Sequence, residues 1–440
     1  MIEIKKPDER LARLLPPVRP QPGVKYIPSQ FVLPFEQEGK LYLFNNLTKQ
    51  CVEGVLPVSA RAGEGCDDLI AARFLVPEDK DECALYNQVS ALLRAMNRKK
   101  GLSGYIILPT LGCNARCVYC YEEGMKPVTM TPETVEQVIR YILDTHEGDK
   151  VHLSWFGGEP LLGVRTIDRI CEGLREAGLD YKSSMISNGS LITPEIVKKM
   201  TDDWRLSHIQ ISMDGAEQDY NSRKRYYADH DYYHRLMENI SALSAAGIRV
   251  SVRCNVDGKN WDGIPRYLKD MAEGVSDKTH VSIYFAPLFD VRAGADTVTM
   301  WQKVVDANPL IEAAGFHSTS NHGLYKRLRA NHCMADSGRS AVILPDGRLN
   351  LCEHCPDEGY YGDIWRGVTD EAAMRAFSRT DVTPEKCRKC PYLPDCTSFH
   401  NCPNIQNHCR EVRELLVRSE LPGLLKQDES APAEESDPNC

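Results

Sequence analysis

Between Gly104 and Ala286 short apolar runs alternate with longer segments that each carry one apolar face. The runs are Tyr105–Pro109, Val151–Phe156, Lys182–Ser187, Leu206–Met213, Ile248–Asn255 and Val281–Ala286. Thr131-Pro132-Glu133 and Thr193-Pro194-Glu195 between them read as helix starts. Each offers a threonine N-cap, a proline in the first turn and an acid beside the positive end of the helix. Val135, Val138, Ile139 and Ile142 share one helical face, as do Ile167, Ile170, Cys171 and Leu174. Strands that alternate with helices pair in parallel, because each helix returns the chain to the same end of the sheet. The expected fold is therefore α/β, a parallel sheet that is open or barrel-like. Its functional site belongs at the C-terminal ends of the strands.

Directly after the first run comes Cys113-Asn-Ala-Arg-Cys117-Val-Tyr-Cys120. An iron–sulfur cube takes four cysteines, one for each corner. Three in a row with no fourth nearby leave one iron open, and an open metal position is a place for chemistry. A zinc loop is the competing reading, although zinc favours pairs of short Cys-x2-4-Cys spacings. No export signal or run of about eighteen apolar residues occurs, so neither secretion nor a membrane span is expected. The expected location is the cytoplasm, where clustered cysteines serve metals rather than disulfides. A net charge of −9 argues against nucleic acid as a partner.

Strand polarity adds to the site. Period-two alternation in the fourth strand sets Gln210, Ser212 and Asp214 against Ile209, Ile211 and Met213. In the fifth it sets Ser251, Arg253 and Asn255 against Val250, Val252 and Cys254. A strand half-lined with polar groups needs a ligand or water to satisfy them.

The cysteine spacing, an aromatic at Tyr119 and the α/β context resemble the radical S-adenosylmethionine (AdoMet) enzymes. The resemblance implies a partial (β/α)6 TIM-type barrel and a [4Fe–4S] cluster on Cys113, Cys117 and Cys120. The open iron would be chelated by AdoMet, which one electron cleaves to a 5′-deoxyadenosyl radical. It also implies that Tyr119 lies beside the adenine and that Gly157, Gly158, Glu159 and Pro160 hold the AdoMet amino group. Ser187 and Asn188 match a segment near the ribose. Gln210, Ser212, Asp214 and Asn255 join the ligand set, and Arg253, Arg223 and Arg225 compete for the carboxylate.

The second array is Cys333, Cys352, Cys355, Cys387, Cys390, Cys396, Cys402 and Cys409. It resembles the SPASM extension, which carries two auxiliary [4Fe–4S] clusters, and eight cysteines suffice for two cubes. By that resemblance Cys333, Cys352 and Cys402, with or without Cys355, hold one cluster. Cys387, Cys390, Cys396 and Cys409 hold the other. His400 stands where the family has a cysteine, so it competes with Cys402. A zinc reading of this array stays open.

The expected organisation is an α+β unit over 1–98, the barrel over 104–314 and the cysteine-rich domain over 315–420. A disordered acidic tail is expected over 426–440. The N-terminal unit reads as a hairpin followed by a helix near Glu82–Arg98, with Leu85, Val89, Leu92 and Leu93 on its apolar face. It is either a leader-peptide recognition module or a cap on the barrel. The implied function is a maturase that abstracts hydrogen from a ribosomally made precursor peptide and forms a thioether or other crosslink. A flavodoxin or ferredoxin would supply the electrons. The alternatives are a sulfatase-maturing, formylglycine-forming enzyme and a non-catalytic zinc or cluster scaffold.

Overall fold

The computed structural model of the chain describes residues 9–98, 101–148, 150–228, 230–288, 297–318, 328, 331, 333–354, 359–377, 382–396 and 411–425. Cys355, His400, Cys402, Cys409 and the acidic stretch 426–440 lie outside the described residues.

The N-terminal unit starts with α1 (Glu9–Leu14) and holds two small sheets. In one, β1 (Lys25–Pro28) pairs antiparallel with β5 (Ala60–Arg61) and β6 (Leu75–Pro77). In the other, β2 (Val32–Gln37), β3 (Lys40–Asn45) and β4 (Gln50–Glu53) form an antiparallel meander. The expected hairpin is β2–β3, turning at Glu38-Gly39 with both residues at positive φ. After α2 (Asp67–Ala71), α3 (Glu82–Arg98) runs over the expected span. Its buried face matches the expected one at Val89 and Leu93, with Leu85 half-buried beside them, and departs from it at Leu92. Cys83, Tyr86, Val89 and Leu93 are buried, whereas Leu92 is 54% exposed. Spacings of three and four residues define that stripe, and Leu92 lies about 100° round the helix from Leu93.

The central unit is the expected alternation. Its order is β7 (Gly104–Ile107), α4 (Pro132–Thr145), β8 (Val151–Trp155), α5 (Val164–Glu176), β9 (Tyr181–Ser187), α6 (Pro194–Asp202), β10 (Leu206–Ser212), α7 (Glu217–Arg223), α8 (Tyr232–Ala245), β11 (Arg249–Val256), α9 (Ile264–Gly274) and β12 (Val281–Pro287). The strands lie side by side in chain order, all parallel, as a partial (β/α)6 barrel requires. Thr131 and Thr193 cap α4 and α6 as their sequence suggests, each hydroxyl accepting the N–H three residues on. Ile209, Ile211, Met213, Val250, Val252 and Cys254 are buried in the main core. Of their alternates, Gln210, Ser212, Ser251 and Arg253 are only half-buried, while Asp214 and Asn255 are buried.

Beyond residue 315, where the alternation fades, the same sheet continues. After α10 (Thr297–Ala313), β13 (His317–Ser318) joins β12 in parallel. After α11 (Met334–Ser337), β14 (Ser340–Ile343) pairs in parallel with β7 on the opposite edge. It turns antiparallel into β15 (Arg348–Asn350), β16 (Tyr360–Asp363) and β17 (Gly367–Val368), giving eleven strands in one sheet among the described residues. Helices α12 (Glu371–Met374) and α13 (Glu411–Glu420) follow. Among the described residues no helix is long and apolar enough to cross a membrane.

Candidate active site

The cysteine loop leaves the end of β7, and two neighbouring segments set its shape. The first is Arg223–Tyr227, which lies antiparallel to it. Arg116 N donates to Arg225 O at 2.7 Å, Val118 N to Arg223 O at 3.0 Å and Tyr227 N to Asn114 O at 3.1 Å, around an Ala115–Tyr226 bridge. Alternation along this ribbon leaves Arg116, Val118, Arg225 and Tyr227 exposed and buries Ala115 and Lys224. Arg225, one candidate for the carboxylate, thus lies on the outer face. Cys113, Cys117 and Cys120 are each half-buried, and burial pushes the Cys113 thiol up to about 11.

The second segment is Gly157–Pro160, at the end of β8. A Cβ on Gly157 would overlap the Thr110 carbonyl oxygen, and one on Gly158 the Gly112 carbonyl oxygen. The sequence suggests glycines that let a ligand approach; the backbone they admit is that of the cysteine loop. Gly158 N and Glu159 N donate to Thr110 O and Gly112 O at 3.2 and 2.9 Å. Glu159 is wholly buried, and all its acceptors face protein donors. Oε1 takes Leu161 N at 3.0 Å and Ser187 Oγ at 2.8 Å, while Oε2 takes Asn188 N at 2.8 Å. Burial raises its pKa, against those three hydrogen bonds. Its carboxylate therefore joins the end of β8 to the end of β9. Pro160 is buried and opens a single 3-10 turn. Asn188 Nδ2 reaches Asn114 Oδ1 at 2.8 Å and Cys113 Sγ at 3.9 Å, bringing the β9 end to the first cysteine.

On the other side of the loop Asp214 is the centre. Its Oδ1 accepts Asn255 N at 3.1 Å and Asn255 Nδ2 at 2.9 Å, and its Oδ2 accepts the Tyr119 hydroxyl. Tyr119 is thereby tied to the ends of β10 and β11. Arg253 Nε donates to Asn255 Oδ1 at 2.9 Å. Gln210 accepts the Tyr284 hydroxyl at 2.6 Å, and Ser212 ends β10 half-buried.

Three participants escape the sequence reading. Lys224 is buried 3.9 Å from Asp214 and 5.8 Å from the centre of the Tyr119 ring. Burial opposes its charge, but Tyr119, Cys117 and Asp214 around it hold it protonated well above the usual lysine range. In sequence it sits between Arg223 and Arg225, the two loop residues expected to compete for the carboxylate, and nothing in the spacing marks it out from them. Asn260 and Asn114, both in loops, bond Asp214 O and Asn188; only a side-chain contact reveals them.

Arg223 bears on what the site can hold. It is buried, and its Nη1 donates to Asp257 at 3.0 Å. Its guanidinium lies 5.5 Å from the centre of the Tyr119 ring, and its Nε and Nη2 are buried with no hydrogen-bond partner among the described residues. A guanidinium edge left this way calls for an anion, and a carboxylate matches its fork.

The C-terminal cysteines divide into two places. Cys333 and Cys352 pack against the barrel core. Two residues beyond Cys352, the His354 ring lies 5.1 Å from the Tyr121 ring and 5.7 Å from that of Phe156. This segment therefore sits against the cysteine loop. Glu122 Oε1 and Glu353 Oε2 are buried there without hydrogen-bond partners among the described residues. Cys387, Cys390 and Cys396 instead pack on α3 and Phe31 of the N-terminal unit.

Residues 107–271 match the model of the Radical SAM superfamily. The radical SAM cyclopropyl synthase TigE of Paramaledivibacter caminithermalis is 23% identical over 318 residues, which cover 65% of each chain. The structure of anSMEcpe with bound AdoMet superposes with a TM-score of 0.57 at 16% identity, covering 73% of this chain and 98% of that one. The same protein has been solved with AdoMet and the peptide Cp18Cys. SuiB of Streptococcus suis gives 0.50 at 14% identity over 84% of this chain and 94% of its own. At such identities the two structures establish the fold alone. The superfamily match falls on the strands that carry the cysteine loop and its partners, so residues 107–271 form a radical SAM domain.

Proposed function

We propose that this enzyme matures a peptide, abstracting hydrogen from a ribosomally made precursor and forming a thioether or other crosslink. Bound to Cys113, Cys117 and Cys120, a [4Fe–4S] cluster with AdoMet supplies the radical chemistry. The chain's own residues hold that cofactor. Arg223 offers its unpartnered edge to the carboxylate, Tyr119 stays pinned by Asp214 and Asn255, and Glu159 keeps the β8 and β9 ends in register. Gln210, Ser212 and Arg253 line the barrel beside them. Arg225 stands on the outer face of the ribbon, so Arg223 takes the anion-binding role.

The observation that carries the reading is the position of the Cys352–His354 segment against Tyr121, directly beside the radical-site loop. In this reading residues 315–420 bear two auxiliary clusters. Cys333 and Cys352, with Cys355 and Cys402, serve one; Cys387, Cys390, Cys396 and Cys409 serve the other. A peptide held between the radical site and the first of these has both a hydrogen acceptor and a metal within reach. The structure of anSMEcpe with the peptide Cp18Cys supports a substrate of this kind. A cytoplasmic flavodoxin or ferredoxin supplies the electron.

The test is anaerobic reconstitution with AdoMet and dithionite. The expected product is 5′-deoxyadenosine, lost when Cys113, Cys117 and Cys120 are changed to alanine. Mass spectrometry of a peptide encoded beside the gene, incubated with the enzyme, should show a loss of two hydrogens. A colourless, zinc-loaded protein that yields no 5′-deoxyadenosine would establish the scaffold reading instead. Conversion of a sulfatase cysteine or serine to formylglycine, with no change in the peptide, would replace the substrate class.

A further inference from the structure

The segment that carries Cys387, Cys390 and Cys396 has little structure of its own. Two single 3-10 turns, Glu385–Cys387 and Leu393–Asp395, are its regular elements among the described residues. Turns this short do not fix the relative placement of three thiols, so something else must.

The N-terminal unit grips this segment along its length. Gln30 Nε2 donates to Arg388 O at 2.9 Å, and Asn46 Nδ2 to Pro391 O at 3.1 Å. Thr383 Oγ1 donates to Asn87 Oδ1 at 2.8 Å, and Arg388 Nη2 to Asp81 Oδ2 at 2.6 Å. Behind these bonds, Phe31, Leu47, Tyr86, Val89 and Leu93 form the apolar bed on which the three cysteines and Leu393 pack.

The centre of the grip is an ion pair. Lys49, in the tight turn between β3 and β4 at φ 58°, sends its ammonium to both oxygens of Asp395 at 2.7 Å and to Asn46 Oδ1 at 2.8 Å. The two charged side chains are 1% and 2% exposed. Asp395 directly precedes Cys396. A buried ion pair adds little net stability over a well-packed apolar pair, because desolvation offsets the attraction. It does penalise every arrangement in which the charges fail to meet, so it fixes one register. Here the fixed register is that of the cysteine segment on the β3–β4 turn.

We infer that the N-terminal unit is the frame that positions the segment carrying Cys387, Cys390 and Cys396 for metal binding, through the Lys49–Asp395 pair and the Asn46–Pro391 bond. The inference rests on reading those cysteines as cluster ligands. It gives the unit a role beyond covering the barrel, one in which metal loading and the N-terminal fold depend on each other.

The test uses the full chain with Cys113, Cys117 and Cys120 changed to alanine, so that bound iron reports the C-terminal sites alone. Cys387→Ala/Cys390→Ala should remove about four irons per chain. If it removes none, the cluster reading of this site fails, and the inference with it. Given that loss, Lys49→Met should remove the same share and leave the iron held near Cys333 and Cys352. Unchanged iron in Lys49→Met overturns the inference. If Lys49→Met loses all iron because the chain does not fold, Asn46→Ala decides. Iron release to a chelator from the Cys387 site should be on the order of tenfold faster, the effect of losing a supporting group behind metal ligands. An unchanged release rate overturns the inference.

Discussion

Glu159 shows what a single side chain contributes to this site. Three donors from the ends of β8 and β9 meet its carboxylate in the interior. Glu159→Ala leaves all three buried and unpaired, at a cost of about 1–3 kcal/mol for each donor that water does not reach. Thermal unfolding should show a drop of several degrees or more, while Glu159→Gln recovers part of it. Glu122 gives a pH signature. Burial lifts its carboxyl from the usual 4.5 to about 7. Between those values the folded chain binds more protons than the unfolded one, so stability falls as pH rises through the window. The loss attributable to Glu122 is about 3 kcal/mol, and Glu122→Gln removes it. Denaturant melts of the metal-free protein at pH 5 and pH 8 measure the difference between variant and parent. At this scale the sequence revealed the residues whose spacing is itself the signal, the three cysteines above all. Lys224 stayed hidden because three adjacent cations look alike until one is seen buried. Glu159 was visible, but a tetrapeptide does not say which way its carboxylate turns.

Elements with a strong period were read closely. The barrel strands and the threonine-capped helices α4 and α6 fall where the sequence puts them, because cap, proline and apolar face agree. The apolar face of α3 was read one residue off at Leu92, since neighbouring leucines leave the phase of the stripe ambiguous. Leu93→Ala should cost about 2–5 kcal/mol, and Leu92→Ala should stay within about 0.5 kcal/mol, both read from urea melts. The cysteine loop has no period and was legible through its residues alone. Its shape comes from the Arg223–Tyr227 ribbon and the glycines after β8, which no local pattern announces. Gly158→Ala should displace the loop through the Gly112 carbonyl. The expected outcome is loss of the radical-site iron, measured by iron and sulfide analysis, with the far-ultraviolet circular dichroism unchanged.

Across the whole molecule, the cysteine-rich stretch read as a separate domain because its helix–strand alternation fades. Short strands such as Ser340–Ile343 carry too few residues to announce a partner, yet this one completes the barrel sheet beside β7. A fragment ending at residue 314 leaves β7 as a bare apolar edge, a template for association. It should be recovered as aggregate on size-exclusion chromatography, whereas the full chain elutes as a defined species.

That pairing also sets a clock. Ser103 and Arg339, at the start of the β7–β14 ladder, hydrogen-bond across 236 residues of chain. At about 5–20 residues per second, the strand that leads into Cys113 has β8 beside it early but waits roughly 10–50 s on the ribosome before β14 exists on its other edge. The strand that carries the cysteine loop therefore gains its second sheet neighbour only late in synthesis, long after the segments that shape the loop itself have been made.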